Sequence, residues 1–580
     1  MPSYDKHPTI RIEGRNDEAW RGYDDIAARL VKHTEGRGKT IIVVECYPGV
    51  RIEEVAAGLA ALRPALVVRS ENAALETARL DALLARYLTD DRVFGYMAPF
   101  TIEEWYDPAK LEAMKREIAA VDQGVVIAIG FGASLLGRGD ILVYADLARW
   151  EIQQRYRTGE FGNWRADNNG EEILRKYKRG FFAEWRTADR LKREVLPLAD
   201  YYLDTHLKDD PRLTTSEALF DGLKKTARRP FRLVPYFDPG VWGGHWLEEH
   251  IGLEPVKHPY AWGFDGVPEE NSLYFCYGDI RVELPSLNLV FFEPEALLGE
   301  QVYARFGAEF PIRFDFLDTV GGQPLSLQVH PKTDYIKNSF GMSYTQDESY
   351  YILDAKEGAT VYLGVKEEVS PEEMIADLDK AQQGNFSFPA DKYVNVYPAR
   401  KHDHFLIPAG TVHCSGTDAM VLEISATPYI FTFKLWDWDR LGLDGKPRPV
   451  HLEHGKRNID WSRRTDWVER NLVDRTVEVG AGDGWTEERT GLHELQFVET
   501  RRHWFTDLTP HDTEGRFHML NLVEGDEAIV ESPTGAFEPF VVRYAETFIV
   551  PASVGEYTIR PTSATNGRRF ATIKAYVRTR

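Results

Sequence analysis

The hydrophobic pattern of the chain changes character near residue 230, and that change constrains the fold more than any other feature. Up to about residue 225, short apolar runs alternate with charged amphipathic stretches. "KTIIVVECY", "GVVIAIGFG" (Gly124–Gly132) and "DILVYAD" (Asp140–Asp146) are the apolar runs. "PAKLEAMKREIAAV" and "GEEILRKYKRGFFAEWRTADRLKREVLPLAD" have helical character. Strands alternating with helices predict a parallel sheet covered on both faces. Beyond residue 230, strands broken by Gly, Pro and Asp turns dominate, as in "SYYILDAKEGATVYLGVKEE" and "HFLIPAGTVHCSG". One helix interrupts them. In "SPEEMIADLDKAQQG", Ser370 is an N-cap, Pro371 and Glu373 complete a capping-box signature, and Gly384 is the stop.

At 580 residues the chain is long enough for about three or four domains. The boundaries predicted are an N-terminal extension (1–35), an α/β domain (36–225), a strand-rich domain with a helical insertion near 370–384 (232–460), and a second strand-rich domain (461–580). The expected architecture is multidomain: a parallel α/β sheet followed by two β-barrels. A net charge of −21 excludes a nucleic-acid binder, which needs clustered Lys and Arg. Three widely spaced cysteines, Cys46, Cys276 and Cys414, make neither a disulfide framework nor a cysteine metal site. The polar start "MPSYDKHPTIRIEGRND" lacks a secretory signal, and no run of about 18 apolar residues exists for a membrane span. The expectation is a cytoplasmic protein, with a homo-oligomer open.

The strand-rich half holds a candidate metal constellation. In "PLSLQVHP", read as a strand, Leu325, Leu327 and Val329 share one face and Ser326, Gln328 and His330 the other. Glu348 opens the strand in "QDESYYIL", and His413 follows the turn in "IPAGTVHCSG". Two imidazoles, a carboxylate and an amide oxygen suit a divalent ion such as zinc, with a position left for water or substrate. The alternative for each residue alone is a solvated or hydrogen-bonded polar side chain.

The order of these segments resembles type I phosphomannose isomerases of the cupin superfamily. "EFPIRFDFLDTVGGQPLSLQVHP", "DESYYILDAKEGATVYLGVKE", "HFLIPAGTVHCSGTDAMVLEIS", "FKLWDWDRLGLDGKPRPVHLEHG" and the opening "PYFDPGVWGGHWLEEHIG" carry the likeness. It runs from about residue 232 to the end, about three fifths of the chain. The resemblance implies two cupin (jelly-roll) barrels, the second without metal ligands. It also implies zinc held by Gln328, His330, Glu348 and His413, and aldose–ketose isomerisation of a sugar phosphate such as mannose 6-phosphate.

Three positions depart from the family pattern. Gln346 and Asp315 stand where the family has lysines, and Lys434 stands where it has an arginine. Lys434 keeps the charge without the planar fork and is the residue expected to stabilise developing charge. Asp437 and Arg440 are further candidates for lining the pocket. A phosphorylated substrate also calls for basic residues around the metal, and Lys332, Lys337, Lys401 and Arg440 are the candidates. The second reading is a metal-binding cupin that acts on or senses another carbohydrate, with a non-catalytic kinase-like regulatory domain.

Residues 36–206 resemble the uridine kinase family of P-loop proteins, through "KTIIVVECYPGVRIEEVAAGL" and "DILVYADLARWEIQQRYRTGEFG". A phosphate cradle needs several glycines, a Lys and a Ser or Thr. Here Ile52 and Glu53 occupy the Lys and Ser/Thr places, and of the glycines only Gly49 remains. The expectation is a degenerate domain without a working phosphate site. "GFGASLLGRGD" (Gly130–Asp140) reads as a surface loop, and Arg155 and Arg157 as surface or lid residues.

Overall fold

The computed structural model describes residues 4–579 apart from 385, 427, 428, 430, 444, 492 and 564–566. The first region is a seven-stranded sheet in the order Ala19–Arg21, Arg212–Thr215, Tyr201–Asp204, Ile141–Asp146, Lys39–Cys46, Gly124–Gly130, Leu66–Arg69. The last five run parallel, and the first two join antiparallel at one edge. The predicted apolar runs are its central strands, buried on both faces by helices. Ala19–Arg21 and the helix Gly22–Val31 belong to this sheet although they fall within residues 1–35. Thr9–Arg11 crosses over to pair in parallel with Ser272–Tyr277 of the strand-rich half.

Where the kinase resemblance would put a phosphate cradle, the protein places its own acids. The helix after Gly49 spans only Ile52–Gly58, Glu53 pairs with Arg69 at 2.7 Å, and Glu54 accepts from Tyr23 and from the backbone of Asp209. A cavity of ≈ 680 Å³ there is lined by Glu53, Glu54, Glu160 and Asp209 against Arg51 and Lys208. The loop after Gly130 reaches the surface only in its second half: Phe131 and Ala133 are buried, whereas Gly137, Arg138 and Asp140 are exposed. Its amides of Gly132 and Ser134 donate to the buried carboxylate of Glu45 at 2.6 and 2.8 Å. Burial lifts the Glu45 carboxyl to about 7. Arg155 is not a surface residue either. It is buried and clasps the carbonyls of Gly49 and Thr205 and the carboxylate of Glu151.

The strand-rich half is built from pairs of open sheets. The first pair has a six-stranded sheet, His404–Ile407, Glu348–Ala355, Ala419–Ser425, Arg313–Asp318, Tyr260–Gly266, Tyr236–Pro239. Its partner has five strands, Val394–Pro398, Thr360–Val365, His413–Ser415, Leu327–Val329, Phe433–Trp436. The tail has six- and four-stranded sheets. Among the described residues neither pair closes into the expected β-barrel, because each sheet keeps two edge strands instead of continuing its hydrogen bonds around. The interrupting helix is Pro371–Gln382. Ser370 accepts from the amide of Glu373 at 3.3 Å, and Gly384 lies at φ 83° just beyond it.

A continuous apolar cluster runs from the α/β region into the first pair of sheets. Phe94 enters it beside Phe340, Phe431 and Phe433, with ring centroids 5.3, 5.7 and 5.3 Å away. Phe181 and Phe182 pack on Tyr429 from the same side. Tyr177 of the α/β region and Tyr236 of the six-stranded sheet both donate to the carboxylate of Glu270.

Candidate metal centre and its cavity

Gln328, His330, Glu348 and His413 converge between the two facing sheets. "PLSLQVHP" forms only a three-residue strand, Leu327–Val329, with Gln328 opposite His413. Neither face of it meets water, since Leu325 through His330 are all buried. Glu348 comes from the other sheet. One of its oxygens is 3.0 Å from Nε2 of His330 and the other 2.8 Å from Nε2 of His413. The two imidazole centroids lie 4.8 Å apart, and Gln328 Nε2 is 3.3 Å from His413 Nε2. A half-turn of that amide exchanges its nitrogen for its oxygen.

The hydrogen bonds behind the imidazoles test whether these residues suit a metal. His330 Nδ1 is 2.9 Å from the Phe431 carbonyl, and His413 Nδ1 is 2.8 Å from the Thr411 carbonyl. A carbonyl only accepts, so both Nδ1 atoms carry the hydrogen, and in the neutral ring the Nε2 lone pairs point at Glu348. His330 Nε2 and Glu348 Oε1 are buried without a hydrogen-bond partner. Lone pairs facing carboxylate oxygens repel unless a cation lies among them. The donor set fits a divalent metal: three ligand atoms, one each from His330, Glu348 and His413, lie within 4.8 Å of one another. Burial opposes charge on Glu348, yet His330 and His413 together carry its carboxyl well below the usual range. Burial holds the His413 pKa below its ordinary value, whereas Glu348 overcomes burial and raises that of His330.

Gln346 braces this group. Its amide donates to Glu348 Oε2 at 3.1 Å, and its oxygen accepts from the Phe431 amide at 2.9 Å. A cavity of ≈ 470 Å³ opens beside the donors, with Gln328 and Gln346 in its wall. Lys434, opposite Gln328 on the neighbouring strand, lines it as well. Among the described residues the Lys434 amine has no hydrogen-bond or ion-pair partner. Burial, helped by Arg448, lowers it to about 7.

Asp437 stands behind Lys434 and holds two arginines, Arg440 at 2.6 Å and Arg448 at 3.0 Å, while accepting from Ser326 at 2.9 Å. Against expectation Asp437, Arg440, Lys332, Lys337 and Lys401 do not line the cavity, and Lys401 pairs with Glu524 at 2.6 Å. The basic residues that do line it are Arg92, Arg157, Arg313, Lys434, Lys446 and Arg448.

Sequence reasoning passed over Glu423. It sits in the otherwise apolar buried strand "AMVLEIS" and directly opposes Asp315, and both line the cavity. Burial and the mutual proximity of Asp315, Glu348 and Glu423 raise Glu423 well above the carboxylate range and Asp315 to about 6. An acid in so apolar a strand was the available signal. No comparable signal marked Arg92, Trp150 or Tyr177, which reach the cavity from the α/β region together with Arg157, the exposed arginine expected at the surface or in a lid.

Sheets, donor set and cavity together define a protein with a buried candidate metal centre beside a cavity. Relatives give this class a particular company. Over 250 residues the chain is 29% identical to the mannose-6-phosphate isomerase ManA of Bacillus subtilis, covering 42% of this chain and 71% of the relative. Over 228 residues it is 26% identical to the mannose-6-phosphate isomerase of Streptococcus mutans, covering 39% and 66%. The crystal structure of the Bacillus subtilis mannose 6-phosphate isomerase aligns with 60% of this chain and all of its own, at 18% identity and a TM-score of 0.47. A family model described as a domain of unknown function (DUF8485) matches residues 22–228.

Proposed function

We propose that the chain is a zinc-dependent sugar-phosphate isomerase of the mannose 6-phosphate to fructose 6-phosphate type. The carrying observation is the convergence of Gln328, His330, Glu348 and His413 beside a cavity lined by Lys434. Homology to mannose-6-phosphate isomerases supports the reaction class. In this reading the four donors hold zinc within a cupin-like pair of sheets, and a bound zinc would polarise substrate oxygens. Interconverting an aldose and a ketose moves a proton between C1 and C2 and builds negative charge on oxygen. Lys434, whose amine burial lowers toward neutrality, balances that charge. Asp315, the nearby carboxyl at about 6, suits the role of proton acceptor. Zinc analysis of purified protein, paired with an assay of that interconversion, tests the proposal. Stoichiometric zinc with turnover supports it, and bound zinc without turnover rejects the reaction.

Gln346 and Asp315, in place of the family's lysines, favour a second reading: the same centre serving another carbohydrate. Turnover of a different aldose phosphate with mannose 6-phosphate inert would decide for it. The kinase-like α/β region is read as non-catalytic, its phosphate position being filled by Glu53 and Glu54.

A further inference from the structure

The cavity beside the metal donors is not confined to the strand-rich half. Arg92, Trp150, Arg157, Glu172 and Tyr177 line it from the α/β region, inside the segment matched by the family of unknown function. Across the cavity stand Lys434 and Arg448. On this side Arg92, Lys434 and Arg448 line the cavity with the carboxylate of Glu172, and Asp437 holds Arg448 from outside the lining. Burial first, then Arg448, Arg440 and Arg92, push the Lys434 amine down to about 7 against the pull of Asp437. Three cations around one carboxylate on a cavity wall are the electrostatic complement of an anion.

Arg92 is held where such a ligand would need it. Asp91 accepts from the amides of Val93 and Phe94, both at 2.7 Å, and its other oxygen is 3.2 Å from His454 Nε2 of the strand-rich half. Thr89, at φ 52°, donates to the Phe94 carbonyl at 2.8 Å. Phe94 is sunk among Phe340, Phe431 and Phe433. The loop is therefore anchored on both sides of Arg92, whose guanidinium rests on Glu172 with Nε 2.7 Å from the carboxylate. Nearby, Trp150 stacks on Tyr236 at 3.7 Å, and Arg157 spans Asp238 with bonds of 2.6 and 2.7 Å.

We propose that the α/β region is a working wall of the active site, in which Arg92 joins Arg448 to bind the phosphoryl group of the substrate. This assigns the region a specificity-determining role, and it rests on the sugar-phosphate reading of the cavity. A guanidinium gives paired, charge-assisted bonds to phosphate that a lysine in its place does not.

The test uses the zinc-loaded full chain with two readouts. Calorimetric titration with inorganic phosphate should show binding in the wild type that Arg92→Ala weakens by about ten- to a hundredfold, with Arg92→Lys intermediate. Arg116→Ala, on the exposed face of the helix Pro108–Ala119, should match the wild type. In the isomerase assay, Arg92→Ala should raise KM for the phosphorylated sugar far more than it lowers kcat, with zinc content unchanged. Phosphate binding that depends on Arg92 in a protein inert toward mannose 6-phosphate would uphold the subsite while rejecting that substrate. An active enzyme in which Arg92→Ala leaves both phosphate affinity and KM unchanged would overturn the subsite, as would a wild type that binds no phosphate at millimolar concentration.

Discussion

Gln328 and Lys434 stand opposite each other on neighbouring antiparallel strands, so one strand pair sets a candidate metal donor and a buried amine in register. The register shifts between Leu327 and Gln328, bringing Trp436 opposite Leu327 and Lys434 opposite Gln328. Because a one-residue slip would send every side chain to the opposite face, this irregularity decides which residue meets the cavity.

Lys434→Met keeps the stem and removes the charge. Zinc content should stay at the wild-type level while kcat falls by about 10² to 10⁴. Steady-state kinetics beside metal analysis would show this. Loss of zinc in this variant would instead make Lys434 part of the metal support.

Gln346 touches both Glu348 and the Phe431 amide, and Phe431 in turn accepts from His330. Gln346→Ala should therefore loosen zinc by about 10- to 100-fold, as removal of a group bracing a ligand generally does. Competition with a chromogenic chelator measures it.

Metal stripping should lower the thermal transition of the wild type and leave His330→Ala unaffected, since binding to the folded state alone stabilises it. At a hundredfold excess over Kd the gain is about 2.7 kcal/mol. Differential scanning with and without zinc gives the comparison, and equal shifts in both proteins would remove His330 from the ligand set.

Phe94→Ala empties a site buried among aromatic rings and should cost about 3–5 kcal/mol. Because the same side chain anchors the loop bearing Arg92, KM should rise along with the loss of stability. Urea denaturation and kinetics on the same preparation would separate the two effects.

The tail should make the protein acid-sensitive. His503, His511 and His518 are buried there. His503 lies 4.3 Å from His511 between ring centroids, and His518 Nδ1 lies 2.8 Å from the Tyr557 hydroxyl. Burial pushes His503 down to about 4 and the other two well below the ordinary range. Below about pH 6.5 the unfolded chain takes up protons that the folded chain refuses, so stability is full above that pH and lost as pH falls toward 4. Each histidine contributes a slope of about 1.4 kcal/mol per pH unit in that window. Urea midpoints between pH 7 and 4.5 would record it, and His511→Phe should flatten the decline.

Much of the fold was legible because it rests on local rules. The apolar runs around Ile42, Ile127 and Leu142 could only be buried strands, and Ser370 with Pro371 could only open a helix. The first half of the loop after Gly130 and the side chain of Arg155 are buried, where surface positions were expected. Their partners, Glu45 in one case and the carbonyls of Gly49 and Thr205 in the other, lie far away in the chain. The β-barrels expected from strand density proved to be pairs of open sheets, since strand propensity says nothing about whether edge strands meet.

The sequence by itself determined the chemistry available: Gln328, His330, Glu348 and His413 as donors in an order shared with a known family, and Lys434 as the changed position beside them. Only the tertiary structure decided that the Nε2 atoms of His330 and His413 face the carboxylate oxygens of Glu348, and that Glu423 and Asp315 share a wall. It also decided that Arg92, more than 200 residues before the donors, reaches the same cavity. The reason is physical: residue type and spacing report on neighbours along the chain, whereas a site between two sheets and an α/β region is made by packing at long sequence separation.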